Sequence, residues 1–307
     1  MTRLTRLALS LAALALAAPG AARAMVGGDK EIARMVSFGG SCAKCELSGR
    51  KLTGAHFMGA DFQGASLVGA DLRDARFFGS NFSGADMSRA DLSDSQIMGA
   101  DFSGARLENA KLRSVEAKGA DFGSARMDGI DASDLDGPGS NFERAEIRKG
   151  DFSDANLTAV NLGRADVRGA RFRDADFQGA NLGRADARGA DFSDANLQGA
   201  NLSHGRFDGA RFRDASFASA SLTGASFKGA DFKDADLRRA SLAGVDLSGV
   251  RGLSQDQIDQ ACLDKGTRLP AGLVNRGCVG PRSRGRIPAP PAPPAPPAAP
   301  RYLVAVD

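Results

Sequence analysis

The 307-residue chain has no tryptophan, one tyrosine, two histidines and four cysteines. That scarcity leaves little for metal or nucleophile chemistry, and no nucleophile motif, phosphate-binding glycine loop or zinc-type ligand spacing occurs. Long apolar runs are missing too. The one candidate, Leu7 to Ala18, is too short to span a bilayer, so no transmembrane segment is expected. Nor does one sign of charge dominate: 40 basic side chains face 37 acidic ones. Proline is nearly absent from residues 47–250, where Pro138 stands alone, and is concentrated in 288–300, which is almost only Pro and Ala. Such a composition cannot pack a core and reads as an extended, disordered tether over 281–307.

The amino terminus accounts for much of the basic excess. Arg3 and Arg6 precede the short apolar run, and Ala22-Arg23-Ala24 offers a small-x-small cleavage site, so residues 1–24 read as a secretory signal. Removing Arg3, Arg6 and Arg23 leaves 37 basic residues against 37 acidic ones. A neutral mature chain gives no electrostatic reason to expect nucleic acid as a partner. The expected location is outside the cytoplasm, in a periplasm or the extracellular medium. In an oxidising compartment the four cysteines are expected as disulfides, and Cys42–Cys45 with Cys262–Cys278 is the simplest of three connectivities.

What is abundant is repetition. From Leu47 to Leu247 the phase never slips over 41 five-residue units; the central residue of each, its anchor, is Leu, Phe, Met, Ile or Val in 37 of them. Alanine stands two places before the anchor in 29 units, with Asp, Asn or Ser commonest between. Small-polar-large alternation is strand logic, with the first and third residues on one face. Because five is odd, a continued strand would throw the next anchor outward. The chain must therefore turn once per unit, and the Gly, Asn, Asp and Ser around each anchor supply turn chemistry.

Sorting anchors by a period of 20 shows how many turns close a coil. Phe62, Phe82, Phe102, Phe122 and Phe142 form one column; Phe152, Phe172, Phe192, Phe212 and Phe232 form another, two units away. Four units per coil make a square tube with these columns on opposite walls, each facing mainly leucine. Three of the four failed anchors, Ala117, Ala132 and Gly137, follow the bulky Val115, Ile130 and Leu135. Volume is restored two places away, as expected if both positions fill one interior.

These A-(D/N)-(L/F)-x-x units resemble those of the pentapeptide-repeat family. The resemblance implies an all-β fold, a right-handed quadrilateral β-helix; at four units per coil the repeats make about ten coils over residues 47–250. Residues 25–46 read as an amino-terminal cap holding the CxxC pair, with a short helix from Asp29 to Val36. Residues 251–280 read as a helical carboxy-terminal cap. There Ser254 and Gln257 form a capping box opening a helix through about Leu263, and the stretch RGLSQDQIDQACLDKGTRLPAGL resembles the terminal segment of many exported members. The segment LDGPGSN, 135–141, puts Gly and Pro where an anchor belongs, and an irregular coil with a bend or bulge is expected near 130–141.

Such a rod has a filled bore and a convex outside, a poor setting for catalysis. No enzymatic activity, cofactor or metal site is expected, and the two cysteine pairs would lie at opposite ends. Reading CAKC as a thiol redox pair requires a thioredoxin-like setting that the repeats lack. His56 and His204 are read as solvated surface residues. Outward-facing columns carry the functional expectations. Met58, Phe78 and Met98 should stack as an exposed apolar stripe of a few hundred square ångströms, about the size at which a patch suggests a partner. Asp74, Asp94, Asp134, Asp154, Asp174, Asp194, Asp214 and Asp234 form an acidic column, with Arg73, Arg173, Arg213 and Lys233 placed to relieve it. Arg144, Arg164 and Arg184 line a neighbouring wall, and Arg148, Arg168 and Arg188 the next.

The expected function is a non-enzymatic scaffold that binds an unknown protein or a cell-envelope component. The family resemblance also implies an alternative, since some members mimic B-DNA and bind topoisomerases. The export signal and the near balance of charge argue against it here.

Overall fold

A computed structural model describes residues 39–277. The expected signal sequence, the helix expected from Asp29 to Val36, Cys278 and the Pro-rich segment lie outside the described residues.

One unit, Asp61 to Ala65, shows why the chain coils. Its five backbone N–H groups all find acceptors. Asp61 donates to Gly40 O (3.0 Å) on the preceding coil; Phe62 and Gly64 donate to Asn81 O (2.7 Å) and Ser83 O (3.0 Å) on the following one; Ala65 donates to Phe62 O (2.9 Å), closing a β-turn. The fifth, Gln63 N–H, donates to the Asp61 carboxylate at 3.0 Å. Where Asp or Asn precedes the anchor its side chain thus serves as a structural acceptor, which accounts for their predominance there. The second residue after the anchor takes positive φ in every unit from Lys44 to Gly244. That conformation tilts each corner of the coil and aims the next anchor inward.

The coils stack in parallel with a register of 20 residues, from Ser41↔Asp61 to Asp231↔Arg251. Each wall contributes mostly a single bridged residue. Among the described residues only β1 (His56–Met58) and β2 (Arg76–Phe78) are longer, and they pair in the same register.

Alanines and anchors fill the bore. The Phe columns stack face to face, as in Phe62–Phe82 (4.8 Å between centroids) and Phe122–Phe142 (4.7 Å). Burying each ring contributes roughly 1.5–3 kcal/mol. Val115 with Ala117, Ile130 with Ala132, and Leu135 are all buried, so the compensating volumes do share one interior. The column changes walls between Phe142 and Phe152, which meet edge to face at 6.0 Å. A gap too small for water lies there, lined by Phe142, Ile147, Phe152, Leu157, Leu162 and Phe172.

Three expectations need correction. Bridges already run through Ser41 and Glu46, so the ladder begins before residue 47. Cys42 and Cys45 occupy an anchor and a small-residue position of that first coil, both buried, with Cα atoms 5.2 Å apart at disulfide distance. Second, no bulge breaks the register at 135–141, because Glu116↔Asp136 and Asp136↔Asn156 are regular bridges. Pro138 and Gly139 (φ +68°) supply the favoured residues of an ordinary turn, and Leu135 fills the missing anchor volume. Third, helix α1 (Gln255–Gln260) has the expected capping box but stops before Leu263. Cys262 bridges Ser241 instead, and Arg268 bridges Asp246. The helix takes extra residues, so these last pairings span 21 and 22 positions rather than 20.

Candidate interaction surfaces

With the bore closed, chemistry is confined to four outer walls and the corners between them. The expected apolar stripe is in place. Met58 pairs with Phe78 in register, and Gly79 N–H donates to Met98 O, stacking the three along one wall. Met58 is 51% exposed, whereas Phe78 and Met98 are half-buried. The next position holds Lys118, paired with Asp136 at 2.8 Å, so the stripe ends in charge.

The acidic column stands at the positive-φ corner position, with Asp134 to Asp234 exposed on six successive coils. Its expected relief is mostly spent elsewhere. Arg73 forks onto Asp71, Arg173 reaches Asp191 (2.9 Å) and Arg213 reaches Asp231 (2.7 Å); only Lys233 lies near a corner carboxylate, Asp234, at 3.8 Å. A corner side chain projects away from the rod, whereas the residue before it lies along the wall beside the ladder aspartates. That geometry decides the pairing.

On the arginine walls, Arg168 and Arg188 fork onto Asp166 and Asp186, and Arg148 bridges Asp128 and Glu146. Arg144 and Arg164 approach Glu143 only loosely, at 3.7 and 3.8 Å. Arg184 has no ion pair or side-chain hydrogen bond among the described residues. His56 is exposed, and His204 is an exposed corner residue whose ring lies over Gly224.

Two features escaped the sequence analysis. Asn141, Asn161, Asn181 and Asn201 form an amide ladder, each Nδ2 donating to the Oδ1 one coil before at 2.9–3.0 Å, anchored on Asp121 at 2.8 Å. Beside it runs an open groove of about 470 Å³, with Gly163 and Gly183 in its lining and Arg164, Arg184 and His204 along it. The ladder has a sequence signal, Asn at the polar position of four units 20 residues apart; the groove, lined by residues from three positions of the unit, does not.

Every carboxylate whose titration is displaced moves downward. The hydrogen-bonded Arg73 fork holds Asp71 down at about 2. For Asp191 burial pushes upward, but hydrogen bonds from Ser193 and Arg173 outweigh it. Groups held ionised in this way are structural acceptors; a proton shuttle would be tuned toward neutrality. Among the described residues no cluster of three or more His, Cys, Asp or Glu is placed to hold a metal, and no helix is long and apolar enough to cross a membrane.

The solved structures similar to this chain include a pentapeptide repeat protein involved in heterocyst differentiation regulation in Nostoc sp. strain PCC 7120, HetL. It is 29% identical over 80% of this chain and 96% of its own, with a TM-score of 0.43. The plasmid-mediated fluoroquinolone resistance protein QnrB1 is 20% identical over 76% of this chain and 93% of its own, with a TM-score of 0.28. A pentapeptide repeat protein of the Arabidopsis thaliana thylakoid lumen is 30% identical over 41% of this chain and 71% of its own, at 0.19. No match is found among curated proteins. The pentapeptide-repeat profile matches eight times, over 41–77, 55–94, 75–113, 99–129, 139–174, 151–188, 175–214 and 215–251. On that match and on the 20-residue ladder, the chain belongs to the pentapeptide-repeat family.

Proposed function

We propose that the protein is a non-enzymatic, exported scaffold, a right-handed rod of about ten coils capped at both ends, whose outer walls hold a protein partner in the cell envelope or outside it. The observation that carries this reading is the Met58–Phe78–Met98 stripe. It sets apolar side chains on a surface that is otherwise mostly charged and polar, and the concavity along Arg164 and Arg184 is an open groove lined by polar groups. Export is supported by Arg3, Arg6, the apolar run and Ala22-Arg23-Ala24. At the carboxy-terminal end Gln257 Nε2 donates to Phe232 O and Ala235 O, a contact suited to a cap.

Affinity capture from fractionated cells, with the intact wild type and a Met58→Lys/Phe78→Lys variant, tests the reading. The wild type should retain a partner from the envelope or extracellular fraction and the variant should lose it. Equal retention by both removes the stripe from the function, and recovery of the protein only in the cytoplasmic fraction removes export.

A further inference from the structure

Among the described residues, charges without an ion pair or side-chain hydrogen bond include scattered ones, such as Arg76, Arg89, Lys149 and Arg239, but they run as columns over successive coils at two corners. Walls are neutralised by short pairs such as Arg168–Asp166 (2.6 Å), Arg188–Asp186 (2.7 Å) and Arg213–Asp231 (2.7 Å). By contrast, Asp134, Asp154, Asp174, Asp194 and Asp214 have no ion pair or side-chain hydrogen bond among the described residues, and neither does Arg184. Arg164, Arg184 and His204 occupy the same positive-φ slot of the unit as these aspartates. Arg184 and Asp174 are ten residues apart, half of a 20-residue coil, so the basic and acidic columns stand at diagonally opposite corners of the rod over the same coils.

We infer that these corners form a lateral docking surface for a second copy of this chain, the acidic corner of one rod seated against the basic groove of the next. Three properties fit that occupant. The signs are opposite. The spacing is identical by construction, because each column places one charge per coil, at the pitch of the stacked rings (4.9 Å for Phe172–Phe192, 5.2 Å for Phe192–Phe212). An extended acidic peptide would instead present same-face carboxylates about 6.7 Å apart and drift out of register. The shapes also suit: the acidic corner is a ridge, while the basic side is a groove with Gly163 and Gly183 in its lining and the spare N–H groups of Asn181 and Asn201 beside it. Since the two surfaces differ and face opposite ways, the contact is head-to-tail across the rods and propagates as a row instead of closing as a dimer.

The test is sedimentation velocity of the full mature chain from low to high salt, with two variants, Arg164→Asp/Arg184→Asp and Asp174→Arg/Asp194→Arg. Both exchanges use residue types the same turn already carries (φ 57° to 62° at all four positions), and matching thermal midpoints verify folding. The wild type should associate at low salt and become monomeric at high salt, where screening removes exposed attractions. Each variant should be monomeric alone, and an equimolar mixture should associate again, because one variant keeps the acidic corner and the other the basic groove. A wild type monomeric at low salt, variants that associate like the wild type, or a mixture that stays monomeric overturns the inference. So does a monomeric wild type that binds poly-glutamate through Arg164 and Arg184. None of these outcomes depends on the apolar stripe.

Discussion

Ser95 occupies a position where alanine is the rule, fully buried, and its hydroxyl finds no hydrogen-bond partner. Ser140, in the equivalent place, donates to Ala117 O at 2.6 Å. An unsatisfied buried hydroxyl costs about 1–3 kcal/mol. Ser95→Ala is therefore expected to raise stability by about 1 kcal/mol, read as a higher midpoint in thermal or denaturant unfolding, while Ser140→Ala should lower it. The difference was not legible from the residue alone, since both serines stand in the same slot of the same unit. It depends on which carbonyl of the neighbouring coil lies within reach. Gly205 makes the same point: a Cβ there would sit 2.5 Å from the Phe207 ring, so its small size serves a packing need that the sequence pattern does not reveal.

The five-residue unit itself was almost wholly legible, because inward positions must be apolar and a spacing of five admits few backbones. The pairing of its charges was not. Sequence neighbours Arg173 and Asp174 suggested a pair, but the corner conformation separates them and Arg173 crosses to Asp191. These ladder carboxylates give the fold its pH dependence. Asp71, Asp186 and Asp236 are held below the ordinary carboxylate value of about 4, foremost by hydrogen bonds from Arg73, Arg188 and Arg238. A carboxylate with a lowered folded pKa stabilises the fold above its unfolded pKa and loses that contribution as pH falls through the folded one. The unfolding midpoint should hold from neutrality down to about pH 4–5 and fall steadily toward about pH 2, the value for Asp71. A midpoint that instead rises on acidification would show that repulsion among the corner aspartates outweighs the ladder.

Because each coil touches only its neighbours, stability is distributed along one dimension. Amide hydrogen exchange should be slowest in the central coils, near the stacked Phe122 and Phe142, and quicken toward residues 39–50 and 255–277. Uniform protection along the described chain would contradict that picture. The ends were also where sequence reasoning was least accurate: the ladder begins earlier and the helix stops sooner than expected, since one unit resembles the next and only pairing partners mark the boundary. The 20-residue register carries one more consequence. Gaining or losing a single unit would leave the bore as well packed as before, yet rotate everything beyond it by a quarter turn, so small duplications can re-aim whole faces of such a rod while its interior stays the same.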